Sequence, residues 1–493
     1  MSPLLALILV PIVAALFIIA GSPARMTAIW AAALNFLGSL VLFYQYSFTP
    51  GGYQFLSSYP VVGPLGIKFT LGADGLSMAM LLLSTIVTLA AVIVARVPAK
   101  SPNWFFASLL FISAGAIGAF ASVDAFFFYM FHELALIPTF LLIGIWGSGD
   151  RQTAAWKITI YLAFGSFILL LGLIGLYLAI PGNLRTFDMQ LITQYARDGK
   201  LIFPGDSAGY VYLLLFLGFG ILVSLFPFHT WAPQAYASAP APAAMLHAGV
   251  LKKFGLYGIL RLVTPIFPPT VAEKFNLLLL ILLLGNILYV GFATIAQRKL
   301  DLMLGYSSVM HMGYIFLGIL SLSTIGVTGA AFMLVAHGLS VAALFAMSGE
   351  LRERTGTLEF ADLGGLARTM PAFGLLFGFA AMASVGLPGF ANFPGELMVF
   401  FGAFQAGNHS LTNFNYFQIA AVVAIWGVVI SAIYMLRAYR RIFMGPVLEK
   451  WKSLPDLGLA PRVGITVLIL ALLIAGFFPQ LLLNFIVPAL IRP

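Results

Sequence analysis

A carboxylate stands in the middle of a stretch that otherwise reads as oil: Glu133, with His132 beside it, in FFFYMFHELALIPTFLLIGIWG, residues 126–147. It has company. Lys252 and Lys253 fall near the middle of a second apolar run. His311 and His337 lie inside two more, Glu396 follows VGLPGFANFPG, Lys157 sits about a turn into another run, and His229 and His247 flank the connection between two runs. Carboxylates, ammonium groups and imidazoles share one property: desolvation and neighbouring charge bring their proton affinities toward neutrality. A buried line of such groups, linked by water, relays protons. Each ionisable group in hydrocarbon costs roughly 3 kcal/mol on insertion scales, so its presence there predicts a task. The competing readings are a purely structural ion pair for Glu133 and Lys253, hydrogen-bonded structural histidines for His311 and His337, and a lysine that snorkels to the interface for Lys157. Lys252 and Lys253 are adjacent and face about 100° apart on a helix, so at most one points straight at a given partner.

No other chemistry competes. There is no Walker-A glycine loop, no dinucleotide fingerprint after a strand, and no His-x-x-x-His or clustered-carboxylate metal pattern; GADG at 72–75 is too short to count. The chain has no cysteine, which excludes disulfides, haem attachment, iron–sulfur clusters and thiolate metal sites within it.

The elements that must hold these groups are membrane helices. Of 493 residues, 61% are hydrophobic and only 8% charged, against about 25% charged in a soluble domain. Apolar runs of about 20 residues, enough to cross a bilayer, recur along the whole length. A transmembrane barrel would instead show alternating strands of about ten residues. The pattern predicts an all-α polytopic membrane protein of about 14 spans, near 3–20, 27–48, 74–97, 103–121, 122–146, 155–180, 209–230, 242–266, 275–296, 302–322, 326–349, 371–403, 414–442 and 463–487. The opening MSPLLALILVPIVAALFIIAG lacks a basic n-region and a clear cleavage site, so it reads as a retained first span. Residues 49–73 form a Gly/Pro/Tyr-rich connection with short extended pieces, 181–208 a polar loop with a short surface helix, and 443–462 an amphipathic interfacial stretch.

The net charge of +9 sits in loops between spans, which points to topology and not to nucleic acid. One set of alternate loops, from Arg25 to Arg462, holds fifteen Lys and Arg; the other holds six, Lys68, Arg185, Arg197, Lys200, Lys274 and Arg492. The positive-inside rule makes the first set cytoplasmic and puts both termini outside. Two spans are interrupted by proline, LVSLFPFHTWAP at Pro227 and VGLPGFANFPGE at Pro388, five spans apart. Five is odd, so the two segments run in opposite directions, which predicts two inverted five-helix repeats, each with a broken helix. The expected organisation is an N-terminal three-helix region (1–100), a first repeat of spans 4–8 (101–267), a second of spans 9–13 (268–442), and an interfacial segment with the last span (443–493).

As a set and in this order, FHELALIPTFLLIGIWG, PFHTWAPQAYASAPAPAAMLHAGVLKKFGLYGILR, LGYSSVMHMGYIFLGI, MLVAHGLSVAALF and GLPGFANFPGELMVFFG resemble the antiporter-like subunits of respiratory complex I over roughly residues 70–440. Mrp-type antiporter and membrane-bound hydrogenase subunits share that fold. The resemblance implies that Glu133 matches the family's span-five glutamate, Lys253 its central span-eight lysine and Glu396 its span-twelve glutamate. Lys157, His229, His311 and His337 fall on recurring polar positions, and Asp74 and Asp124 match structural loop-edge aspartates. It implies a proton-translocating subunit of a NADH:quinone oxidoreductase in a bacterial inner membrane, working beside other membrane subunits. NADH, flavin, iron–sulfur clusters and quinone would belong to partner subunits. The alternatives are a Mrp-type cation/proton antiporter subunit, a membrane-bound hydrogenase subunit, or a subunit with a structural role only.

Two departures stand out. The family usually carries a lysine in span seven before the broken proline; the aligned residue is Leu222, and no lysine lies between Lys200 and Lys252. That leaves His132, His229 or Lys253 as the partner of Glu133. In QRKLDLMLGYSS the family tends to have basic residues at the positions of Asp301 and Leu302.

Overall fold

A computed structural model describes residues 2–47, 52–407 and 414–490. Arg492, residues 49–51 of the first connection and the last residue of the predicted 27–48 span lie outside them. The chain opens with α1 (Pro3–Ile19) and α2 (Ala24–Gln45). The 49–73 connection holds an antiparallel hairpin of β1 (Gln54–Val62) and β2 (Ile67–Ala73). It turns at Gly66, which has φ of 68° and where a Cβ would lie 2.5 Å from the Arg185 carbonyl oxygen, so only glycine fits. Next come α3 (Gly75–Val94), α4 (Pro102–Ala121), α5 (Ala125–Trp146) and α6 (Arg151–Leu178), then the predicted short surface helix, α7 (Met189–Arg197).

The predicted seventh span is two helices, α8 (Ser207–Val223) and α9 (Trp231–Ser238). The eighth is not one α-helix. α10 (Ala241–Leu246) passes through a π-helical turn at His247–Leu251 into α11 (Lys253–Gly258), and a second π turn follows at Ile259–Val263. After α12 (Pro269–Glu273), α13 (Asn276–Leu284) reaches α14 (Val290–Ala296) through a third π turn, Gly285–Tyr289. α15 (Leu300–Leu320) and α16 (Thr324–Thr355) are uninterrupted. The predicted twelfth span is broken into α17 (Pro371–Val385) and α18 (Asn392–Gln405), and α19 (Tyr416–Phe443) follows. The predicted 463–487 span is α20 (Leu459–Phe477) and α21 (Gln480–Leu490), divided at Pro479. Proline disfavours a helical conformation in the residue before it, and Phe478 leaves the helix with φ −124° and ψ 58°.

Among the described residues ten helices are long and apolar enough to cross a membrane, with the shorter apolar α1, α8, α17 and α21 beside them. Their starts are written into the sequence. Asp74 accepts from Ser77 N at the start of α3, Asp124 from Phe126 N and Phe127 N at α5, Asp150 from Thr153 N at α6, and Asn415 forms a capping box with Gln418 at α19. Each such cap supports its helix by about 1 kcal/mol. Burial ranks the helices: the apolar window of α16 is wholly buried and those of α4 and α15 are 89% buried, whereas α2 and α20 are only 33% buried. α16 is therefore the axis of the fold, and groups on it are shut away from lipid.

Candidate functional site

The central station is built by glycine. Gly249, in the π turn before Lys253, and Gly338 on α16 touch backbone to backbone. A Cβ on Gly249 would lie 3.0 Å from the Gly338 carbonyl oxygen, and one on Gly338 2.6 Å from that of Gly249. That close approach places His337 beside Lys253. Lys253 is fully buried, and its Nζ donates to the Ala248 carbonyl oxygen at 2.9 Å and meets His337 Nδ1 at 2.8 Å. The His337 ring in turn lies 5.4 Å, centroid to centroid, from that of His311 on α15. No carboxylate stands within ion-pairing distance of Lys253 among the described residues, so the lysine is held by an imidazole and a carbonyl, not by a structural salt bridge.

His311 joins this station to the break in span twelve. Its Nδ1 faces the Ser307 carbonyl oxygen at 2.8 Å and its Nε2 the Ser384 carbonyl oxygen at 2.9 Å. A neutral imidazole has one N–H and satisfies one of these acceptors; an imidazolium satisfies both. The ring is thus placed where holding and releasing a proton each has a hydrogen-bonded state. Ser384 lies in the last turn of α17, whose freed carbonyls need partners in a membrane. Gly386 then takes φ of 81°, and a Cβ there would come within 3.0 Å of Glu396 Cδ, so the carboxylate folds back over the break. Glu396 is 4% exposed. Lys253, His337 and His311 therefore form one run from α11 through α16 to α15, and Glu396 lies at the α17–α18 break that His311 reaches through the Ser384 carbonyl.

The other predicted residues are placed apart from this run. Glu133 is not enclosed: its side chain is 33% exposed on a face of α5 that also shows Met130, Leu134 and Ile137. Of the three partners the sequence leaves open, the structure supplies His132, whose Nδ1 is 3.4 Å from Glu133 Oε1. His132 stacks at 4.1 Å on Phe254, the residue after Lys253. Leu222 is buried and packs toward α6 at Gly165. Lys157 donates to Gln234 Oε1 of α9 at 2.9 Å, at the rim and away from the central run. His229 lies in the α8–α9 break, stacked on Phe226 at 5.5 Å.

Several further residues hold the site together. Asn286, fully buried in the third π turn, seals the α8–α9 break. It accepts from Phe226 N at 2.6 Å and donates to the carbonyl oxygens of Ser224 and Val309, each at 3.0 Å. It is the lone amide in LLLLILLLGNILYVGF, and that isolation is the signal that could have found it. Arg261 forms a buried ion pair with Asp74, Nη1 to Oδ2 at 2.6 Å, and lies over the Tyr257 ring. Asp301 pairs with Arg352, which also donates to Ser148 Oγ at 2.6 Å. Outside the spans, burial pushes the Asp124 carboxyl up to about 6, against the backbone N–H groups of Lys68, Phe127 and Phe126 that favour its charged form.

A polytopic helical fold with two broken helices and a buried run of titratable groups has the features of a membrane ion-translocating protein. The family described as "NADH:quinone oxidoreductase/Mrp antiporter, TM" matches residues 122–423, and the chain belongs to it. NADH-quinone oxidoreductase subunit M of Rickettsia felis is 32% identical over 459 residues, covering 93% of this chain and 89% of that protein. Among solved structures, a chain of respiratory complex I from Thermus thermophilus with bound NADH superposes with a TM-score of 0.88 at 29% identity, covering 100% of both chains. A chain of the Mrp complex from Dietzia sp. gives 0.84 at 22% identity, covering 99% of this chain and 96% of that one, a likeness of fold.

Proposed function

We propose that this chain is a proton-translocating membrane subunit of a NADH:quinone oxidoreductase of the complex I type, the M (chain 4) subunit, and that Lys253, His337, His311 and Glu396 are its relay. Glu133, with His132, is the exchange group on the outer face of α5, and Lys157 and His229 serve the approach along α9. The mechanism is electrostatic: a change of charge beside Glu133 alters the proton affinity of Lys253 and then of Glu396, with water filling half-channels at the two breaks. The chain oxidises nothing itself; NADH, flavin, iron–sulfur clusters and quinone belong to partner subunits, and the chain sits among neighbouring antiporter-like subunits in the bilayer. It lies in a bacterial inner membrane with both termini outside, organised as the two inverted repeats 101–267 and 268–442 between the N-terminal region 1–100 and the final segment 443–493.

The observation that carries this reading is the 2.8 Å contact of two buried proton-exchanging groups, Lys253 and His337, with His311 leading on to a helix break. The test is NADH-driven proton uptake by membrane vesicles, wild type against Glu133→Gln, at equal amounts of assembled complex. Lost pumping supports the reading; unchanged pumping removes Glu133 from it. The fold shared with the Mrp chain keeps one rival, a cation/proton antiporter subunit, which sodium-dependent flux without quinone reduction would favour.

A further inference from the structure

The relay proposed above leaves the buried Lys252 unused. Lys252 is 1% exposed, and its Nζ meets the Ser308 carbonyl oxygen and Ser308 Oγ, both at 3.3 Å, and stands 5.6 Å from the centre of the Tyr236 ring. Among the described residues no carboxylate comes within ion-pairing distance of it. An ammonium has three donors to satisfy, and a buried one without a counter-ion is costly. The adjacent Lys253 already places one ammonium in the same π-turned helix, so a second raises that cost further. Leucine or methionine would fill the same volume without it.

What surrounds Lys252 gives the charge a use. The Tyr236 hydroxyl is 3.2 Å from His247 Nδ1, and both residues are buried. His247 opens the π turn that Lys252 closes, Lys252 N donating to the His247 carbonyl oxygen at 2.9 Å. His132, the partner of Glu133, stacks at 4.1 Å on Phe254, two residues after Lys252. A hydroxyl both donates and accepts, and an imidazole takes a proton at one nitrogen while losing it at the other. Lys252 and His247 thus share one stretch of helix with Lys253, which meets His337, and with Phe254, on which His132 stacks.

We propose that Lys252, with Tyr236 and His247, is a further proton-carrying station that joins the Glu133–His132 pair to the Lys253 relay. This rests on the relay reading above. In the step, the Lys252 ammonium gives up H⁺ through bridging water to the Tyr236 oxygen as the Tyr236 hydroxyl proton passes to His247 Nδ1, leaving a neutral amine, a neutral hydroxyl and an imidazolium. No bond other than N–H and O–H bonds changes, and no electrons move.

The experiment uses the whole complex in membrane vesicles and reads protons moved per NADH oxidised, with assembly followed on native gels. Lys252→Met and Lys252→Arg are compared with Lys253→Met. Arginine keeps the charge but does not release a proton, so a merely structural cation survives the Arg change and a carrier does not. The expected result is that Lys252→Met and Lys252→Arg each lower the ratio by as much as Lys253→Met, and that Tyr236→Phe slows pumping at least threefold. A wild-type ratio in Lys252→Arg, or in Lys252→Met, overturns the proposal while a loss in Lys253→Met leaves the relay standing. A wild-type ratio in Lys253→Met removes the relay itself. If the Lys252 variants fail to assemble, Tyr236→Phe decides: unchanged pumping overturns the proposal.

Discussion

Asn286→Leu should unlatch the break between α8 and α9. The wild-type amide satisfies three backbone groups: Phe226 N, the Ser224 carbonyl and the Val309 carbonyl. Leucine is similar in size but offers no hydrogen bond. Each buried backbone group left unpaired costs about 1–3 kcal/mol, and hydrogen bonds between membrane helices measure nearer to 0.6. Taking about 1 kcal/mol for each of three groups gives roughly 3 kcal/mol for local opening. At 1.4 kcal/mol per tenfold, that is on the order of a 100-fold rise in the open population, which proteolysis of a transiently opened segment follows. The assay is limited proteolysis of the detergent-solubilised complex, with cleavage scored within 224–231. Asn286→Asp keeps the acceptor for Phe226 N and loses the donors, so it should fall between. A rise of less than about fivefold in Asn286→Leu would refute the reasoning that this side chain, and not packing alone, seals the break.

Other outcomes follow from the same geometry. Removing one partner of the buried Arg261–Asp74 pair, in Arg261→Met or Asp74→Asn, should lower stability by roughly 3–5 kcal/mol and deplete the subunit from membranes; the double variant should recover part of it, both read by immunoblot of the assembled complex. Gly386→Ala places a side chain in a left-handed position against the Glu396 carboxylate and should reduce proton pumping more than NADH oxidation, measured together in vesicles. With the Asp124 carboxyl pushed up to about 6 from 3.8, the folded chain binds this proton better than the unfolded one. Its contribution therefore favours folding most below pH 4 and fades as the pH rises through 6, by roughly 3 kcal/mol at most. Asp124→Asn should flatten that part of the stability profile in thermal melts between pH 4 and 8.

The breaks at Pro227 and Pro388 were legible because proline and glycine punctuate an apolar run whatever surrounds it. The candidate relay residues stand out for a related reason: an ionisable residue in such a run is conspicuous before its partners are known. The direction each one faces was not. Glu133 lies on an edge with Met130 and Ile137, and Lys253 reaches α16, because of how helices pack and not because of their own residues. The π turns around Lys253 are not visible from apolar length, since α and π turns share the same composition; the first of them carries Gly249, which meets Gly338. Pro479 was visible and still absorbed into a single span, although it divides α20 from α21. Asn286 is inconspicuous in the sequence because an amide carries no charge, yet in a membrane interior its hydrogen bonds hold three backbone groups.

The measurement closest to the central claim is the number of protons translocated per NADH by the reconstituted complex carrying Lys253→Met. Methionine keeps the length and apolar stem and removes the exchangeable proton beside His337. The account predicts an assembled complex that still reduces quinone with NADH but moves fewer protons per turnover than wild type. A wild-type ratio with an intact complex would contradict it, and the buried Lys253–His337–His311 run would then be a structural feature of the bundle.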